Sequence, residues 1–104
     1  MADLQIIYTE EALQDILAIS DYHFDKVGET SALRAIDELQ DHIEKLAQFP
    51  RMGEEHPDSY LNALGFRKIV HDNHIVIYRI DSESVIIARI VWASSNYPEL
   101  FHRN

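Results

Sequence analysis

The sequence predicts an α+β fold, in the order β-α-α-β-β-β, with a helix hairpin packed on one face of a mainly antiparallel sheet. Three observations carry this. From Phe66 to Trp92 the chain reads FRKIV, HDNH, IVIYRI, DSES and VIIARIVW, so three apolar runs rich in β-branched residues are parted by two polar breaks. Such runs suit a pleated, half-buried surface, and the Asp-Asn and Asp-Ser steps between them are turn formers, which gives a three-stranded meander. Before it, two stretches repeat apolar residues at helical spacing. Between those two stretches only Val27–Glu29 intervenes, a break short enough for antiparallel neighbours.

The elements follow in order. Leu4 to Tyr8 is an apolar-rich strand candidate. Thr9 is placed to cap a helix, and Glu10 and Glu11 suit the positive end of its dipole. From Glu10 to about Lys26, Leu13, Ile16, Leu17, Ser20 and Phe24 recur at helical spacing, and Gly28 is a natural stop. Thr30 or Ser31 is expected to cap the second helix, whose stripe is Ala32, Ile36, Leu39, Ile43, Leu46 and Ala47, ending before Pro50. The run from Phe49 to Gly65, with its prolines and clustered polar residues, reads as a loop. After Trp92, Pro98 to Phe101 is expected to form one helical turn.

Two-residue turns at Asp72-Asn73 and Ser82-Glu83 decide which side chains share a face. They set His71 opposite His74, Arg67 opposite Tyr78, Ile80 opposite Val85 and Tyr78 opposite Ile87. One face then carries Phe66, Lys68, Val70, Ile75, Ile77, Arg79, Ile86, Ala88, Ile90 and Trp92, and is expected to be the one the helices cover. The other carries Arg67, Ile69, His71, His74, Val76, Tyr78, Ile80, Val85, Ile87, Arg89 and Val91, a mixture of bases, imidazoles and aliphatics suited to binding. A slip of one residue at the second turn would exchange the third strand between faces. Leu13, Ile16, Leu17, Ile36, Leu39 and Ile43 are accordingly expected against Val70, Ile75, Ile77, Ile86, Ile90 and Trp92.

At 104 residues the chain is read as one domain, 1–104, able to bury roughly 65% of its unfolded surface. With no cysteine, disulfide frameworks and thiolate chemistry are excluded. No apolar run approaches the ~20 residues that span a bilayer, and the first residues lack the pattern of a secretory leader, so no membrane partner and a cytoplasmic location are expected. Nine basic against eighteen acidic residues give a net charge of −9, with a pI near 4.9. Such a field repels phosphate polymers at long range and attracts basic partners, so direct DNA binding is not expected. The helix acids Asp15, Asp21, Asp25, Asp37, Glu38, Asp41 and Glu44 read as a solvated outer face. No glycine-rich phosphate loop, nucleophile elbow or HExxH motif occurs, and no cofactor is expected.

The landmarks IIYTEEALQDILAISDY, LAQFPRMG, GFRKIV, IVIYRI and VIIARIVW, in this order, resemble the RelE/ParE superfamily of bacterial toxins, and the segment from FPRMG to FRKIV looks more like the ParE branch. The resemblance implies a toxin of a type II toxin–antitoxin system, neutralised by a cognate antitoxin in a hetero-oligomer. RelE-type members cleave ribosome-bound mRNA with basic residues on the central strand and a basic, tyrosine-containing C-terminal segment. Here the matching central position is Ile75, the last strand runs into Ala93-Ser94-Ser95-Asn96, and only Tyr97, His102 and Arg103 stand near that end. This departure favours a ParE-like toxin that acts by binding, for which the resemblance implies DNA gyrase as a target. A divergent RelE-like endoribonuclease and a non-toxic antitoxin-binding regulatory subunit are the alternatives.

Among candidate chemical groups, Arg67, His71, Tyr78 and Arg89 fall on one expected face. A base, an acid and cations are what backbone cleavage at a 2′-hydroxyl needs. His71 and His74 flank a turn, but a metal would need further ligands, so no metal site is expected. Ile80, Val85, Ile87 and Val91, with Arg67 and Arg89, are the expected partner-binding set. Left uncovered they would form an exposed apolar patch, unless the C-terminal segment folds over them through Tyr97, Leu100 and Phe101. On that reading Val91→Asp would release the antitoxin from a chain that stays folded.

Overall fold

The computed structural model describes residues 3–102, so Arg103, noted above beside Tyr97, lies outside the described residues. Strand β1 (Gln5–Tyr8) leads into helix α1 (Glu10–Val27) and helix α2 (Glu29–Glu44), which a 3₁₀ turn at Lys45–Ala47 extends. Then come β2 (Glu54–Glu55), α3 (Ser59–Ala63), β3 (Arg67–His71), β4 (His74–Asp81), β5 (Ser84–Trp92) and α4 (Pro98–His102). The sheet order is β1-β5-β4-β3-β2, with β1 parallel to β5 and the other pairs antiparallel. The expected layout stands, with β2 and α3 added inside the stretch read as a loop.

Local chemistry explains the helix ends. Thr9 Oγ1 accepts the Ala12 N–H at 3.1 Å, satisfying one orphan donor of α1. Gly28, at φ +89°, ends α1 with its N–H on the Phe24 carbonyl at 3.0 Å. A side chain is strained at that φ, whereas glycine is not. The same Gly28 is the N-cap of α2, which has no side-chain cap, so the expected Thr30 or Ser31 cap is replaced. Helix and helix meet at one glycine, leaving no room for a separate cap residue.

The meander pairs as expected: Arg67 with Tyr78, His71 with His74, Ile80 with Val85 and Tyr78 with Ile87. One feature intervenes. Tyr78 pairs with Ile87 but Ile77 pairs with Arg89, so Ala88 is an extra residue, a β-bulge. Beyond it Val76 faces Ile90 and His74 faces Trp92, which moves Ile90 to the face of Val76 and Val91 to the face of Ile75.

The helices cover the face opposite to the expected one. Ala12, Ile16, Ile19, Leu39, Ile43 and Leu46 pack with Ile69, Val76, Tyr78, Val85, Ile87 and Ile90. The other face holds a second, smaller core of Leu61, Ile75, Ile77, Val91 and Tyr97, with Phe66 and Phe101 against it. Both faces of β4 are therefore covered, which is why its apolar run is nearly continuous. Along α1 the buried stripe is Ala12, Ile16 and Ile19, rotated by one residue from the expected one, so Leu13 and Leu17 point outward. Val70 is likewise exposed. In α2 the expected stripe holds, with Ala32, Leu39 and Ile43 buried.

Candidate partner interface

The four candidate chemical groups are each engaged inside the fold. Tyr78 is fully buried, and its hydroxyl accepts the Gly53 N–H at 3.0 Å while donating to the Pro50 carbonyl at 2.7 Å. Burial raises its pKa. Arg67 Nη1 donates to the Gly53 carbonyl at 2.6 Å. A Cβ on Gly53 would stand 2.5 Å from both the Lys68 carbonyl oxygen and the Tyr78 hydroxyl, so only glycine fits where this loop meets the sheet. His71 Nδ1 lies 3.0 Å from His42 Nδ1, one ring donating and the other accepting. Arg89 grips Asp15 with two bonds, Nε to Oδ2 at 2.8 Å and Nη2 to Oδ1 at 3.0 Å.

Arg67, His71 and Arg89 line three different depressions, and Tyr78 lies beneath the surface, so they do not form one acid–base–cation constellation. Asp15 is a correction. Its expected place among the solvated acids does not hold, because its side chain is only 15% exposed. Its Oδ2 also accepts the Ile90 N–H at 2.8 Å. Strand β1 stops at Tyr8, opposite Ile87, and beyond that point α1 supplies the partners that β1 no longer can: Thr9 Oγ1 donates to the Ala88 carbonyl at 2.8 Å, and Asp15 takes Ile90.

The expected partner-binding aliphatics are interior. Val85 and Ile87 lie wholly under the helix hairpin, and Ile80 is half-buried at its edge. Val91 is buried on the opposite face, in the cluster that Tyr97 and Phe101 close. The expected exposed patch is therefore covered by the chain itself, from both sides. Val91→Asp would bury an unpaired charge in the free chain and unfold it, rather than act on a partner.

Exposed apolar residues collect elsewhere. On α1, Leu13, Leu17, Phe24 and Val27 keep helical spacing along one stripe, and Leu17 is 65% exposed. Leu33 on α2 is exposed too. Exposed acids accompany them: Glu10, Asp21, Asp25, Glu29 and Asp37. This stripe is visible in the sequence, where Leu13, Leu17 and Phe24 keep helical spacing and Leu13 and Leu17 are expected in the core. A second apolar site, Phe49 and Met52, sits on the loop that Tyr78 holds.

Three histidines are set for acid sensitivity. His56 is buried; its Nδ1 accepts the Asp58 N–H at 3.0 Å, so Nε2 carries the proton and donates to the Tyr97 hydroxyl at 2.8 Å. Desolvation lowers the pKa of His56, His42 and His74, and each feels further positive charge: from Lys68 for His56, from His71 and Lys45 for His42, and from His23 and His71 for His74. Above the ordinary histidine value of about 6.5 both folded and unfolded chains keep these rings neutral. Below it the unfolded chain takes up protons that the fold refuses, so stability falls with pH, by up to about 1.4 kcal/mol per unit for each ring, until the folded pKa is reached. Urea melts should show stability falling as the pH drops below about 6.5, the ordinary histidine value. Midpoints that do not move as the pH falls below that value would show that the rings protonate freely in the fold.

Against known proteins, residues 6–97 match the family described as the ParE toxin of the type II toxin–antitoxin system parDE. The chain belongs to the ParE toxin family. Among solved structures, the chromosomal ParDE system of P. aeruginosa superposes with a TM-score of 0.76 at 22% identity, covering 88% of this chain and 97% of that one. The RelBE2 toxin–antitoxin complex of Mycobacterium tuberculosis gives 0.64 at 18% identity over 86% and 98%. A YoeB/ParE toxin from Agrobacterium tumefaciens gives 0.60 at 13% identity over 86% and 98%. No curated protein sequence matches. In this ParE-family chain Ile75 is buried in the smaller core. Ser95 closes a tight turn after β5, with its hydroxyl on the Trp92 carbonyl at 2.7 Å.

Proposed function

We propose that this ParE-family toxin acts by binding a cellular target and is held inactive by a cognate antitoxin lying along the outer face of the helix hairpin. The location is cytoplasmic, and the candidate target is DNA gyrase, on the resemblance to ParE-type members. One observation supports the interface above others: Leu13, Leu17, Phe24 and Val27 stand in solvent on a helix whose exposed flanks are acidic. An amphipathic antitoxin segment fits that surface, with apolar anchors on the stripe and Lys or Arg against the acids. Desolvated anchors would supply most of the affinity, while rim charges mainly speed association.

Leu17→Asp tests it. Leu17 supports little of the chain's own core, so the free toxin should melt as the wild type does. Antitoxin dissociation should accelerate about 30-fold or more, the scale of losing a binding hot spot. Unchanged dissociation would move the antitoxin off the hairpin. For the target, the chain induced alone should stop DNA synthesis and raise the SOS response while mRNA persists; rapid mRNA loss with normal replication would favour the ribonuclease.

A further inference from the structure

We propose that the loop at Phe49–Met52 docks an acidic segment of the protein this toxin inhibits, seating one large apolar side chain of that segment in the groove the loop forms. The proposal rests on the toxin reading above. Phe49 is 56% and Met52 43% exposed, and with Pro50 and Arg51 they line a groove of about 530 Å³. Met52 also borders an adjoining depression of about 390 Å³, lined by His42, Gly53, Glu54, Lys68, Ile69 and Val70, so the surface runs on to the exposed Val70 of β3.

This surface is held in place rather than left loose. The Phe49 N–H bonds the Lys45 carbonyl at 2.9 Å and the Met52 N–H bonds the Phe49 carbonyl at 3.0 Å. The Pro50 carbonyl and Gly53 N–H are fixed on the buried Tyr78 hydroxyl, and the Gly53 carbonyl is fixed on Arg67. A loop fixed by a buried phenol, yet showing a phenylalanine and a methionine to water, carries its ordering cost before any partner arrives, which favours affinity.

Charge selects the partner. Segments 45–53 and 67–71 hold Lys45, Arg51, Arg67 and Lys68 and no acidic residue, whereas the other five basic residues share the rest of the chain with all eighteen acidic ones. Glu54 is paired with Lys68 at 3.4 Å, Arg51 is exposed in the lining of the groove, and Lys45 is exposed at the start of the segment that leads into it. The sign is opposite to that of the hairpin stripe, so one surface suits a basic antitoxin and the other an acidic target.

The test uses the full chain with three changes, Phe49→Ser with Met52→Ser, Arg51→Glu, and Leu17→Asp. The double serine variant should melt like wild type and bind antitoxin within about twofold, yet relieve growth inhibition by about a hundredfold in colony survival, and Arg51→Glu should relieve it partly. Leu17→Asp should still inhibit growth while escaping the antitoxin, which separates this site from the proposed antitoxin face. In vitro, a glutamate-flanked Leu-Phe peptide should shift the Met52 and Gly53 amide resonances of wild type but not of the double variant, and a lysine-flanked peptide should shift neither. A double variant as inhibitory as wild type, a lysine-flanked peptide that binds equally, or joint loss of antitoxin binding would overturn the proposal. A wild-type chain that does not inhibit growth would overturn the toxin reading with it.

Discussion

Leu39→Ala should lower the unfolding free energy by about 3 kcal/mol, within the 2–5 kcal/mol range of buried Leu truncations. Leu39 lies in the middle of α2, is 2% exposed, and packs in the main core with Ile16, Ile43, Val76 and Tyr78 among its members. Truncation removes the transfer energy of the lost atoms and leaves a cavity. The surrounding sheet is pinned by its hydrogen-bonded ladders and by the Tyr78 hydroxyl, so it has little freedom to collapse into that space. For a domain of this size the change corresponds to a fall in Tm of roughly 12–20 °C. Leu17→Ala is the matched control: the same chemistry at a site 65% exposed should cost less than about 1 kcal/mol. A loss below about 1 kcal/mol at Leu39 in denaturant melts would mean that α2 does not present this stripe to the sheet.

That pair of leucines shows what the sequence could and could not decide. In α2 polar residues flank one apolar stripe, so spacing alone picked Ala32, Leu39 and Ile43 correctly. In α1 two stripes compete: Ala12, Ile16 and Ile19 against Leu13, Leu17 and Phe24. The bulkier one looks like core, but the smaller one lets α1 lie close enough for Thr9 and Asp15 to reach the edge of β5. Strand pairing was legible because both turns are short and polar. The covered face was not legible, because β4 is apolar on both faces and period two gives no sign of direction. The bulge at Ala88 has no marker residue, yet it alone moves Ile90 and Val91 between cores. The site is the least legible part: Val85, Ile87 and Val91 read as surface because their expected face also holds Arg67, His71 and Arg89. Those polar groups are accommodated at the margins, by Gly53, His42 and Asp15, partners distant in sequence that no local pattern could supply.

Asp15→Ala should cost about 2–3 kcal/mol, a large loss for one helix residue. Two deficits arise together. Arg89, with its side chain 27% exposed, loses both carboxylate bonds, and the Ile90 N–H loses its acceptor at an edge that β1 does not reach. Removing one member of a fully buried pair costs about 3–5 kcal/mol, and water that still reaches Arg89 reduces this. An unsatisfied buried backbone donor alone costs about 1–3 kcal/mol. Asp15→Asn separates the two: the amide oxygen can still accept from Ile90 while the charge is gone, so about half of the loss should return. Arg89→Met in the Asp15→Ala background should also recover part, because it removes the stranded cation, and the non-additivity of that cycle measures the coupling. Raising salt should change these differences little, since the pair is mostly shielded from solvent. If Asp15→Ala melts within about 0.5 kcal/mol of wild type, the clasp between α1 and β5 contributes nothing, and the end of β5 must be held by Trp92 and the turn that follows it.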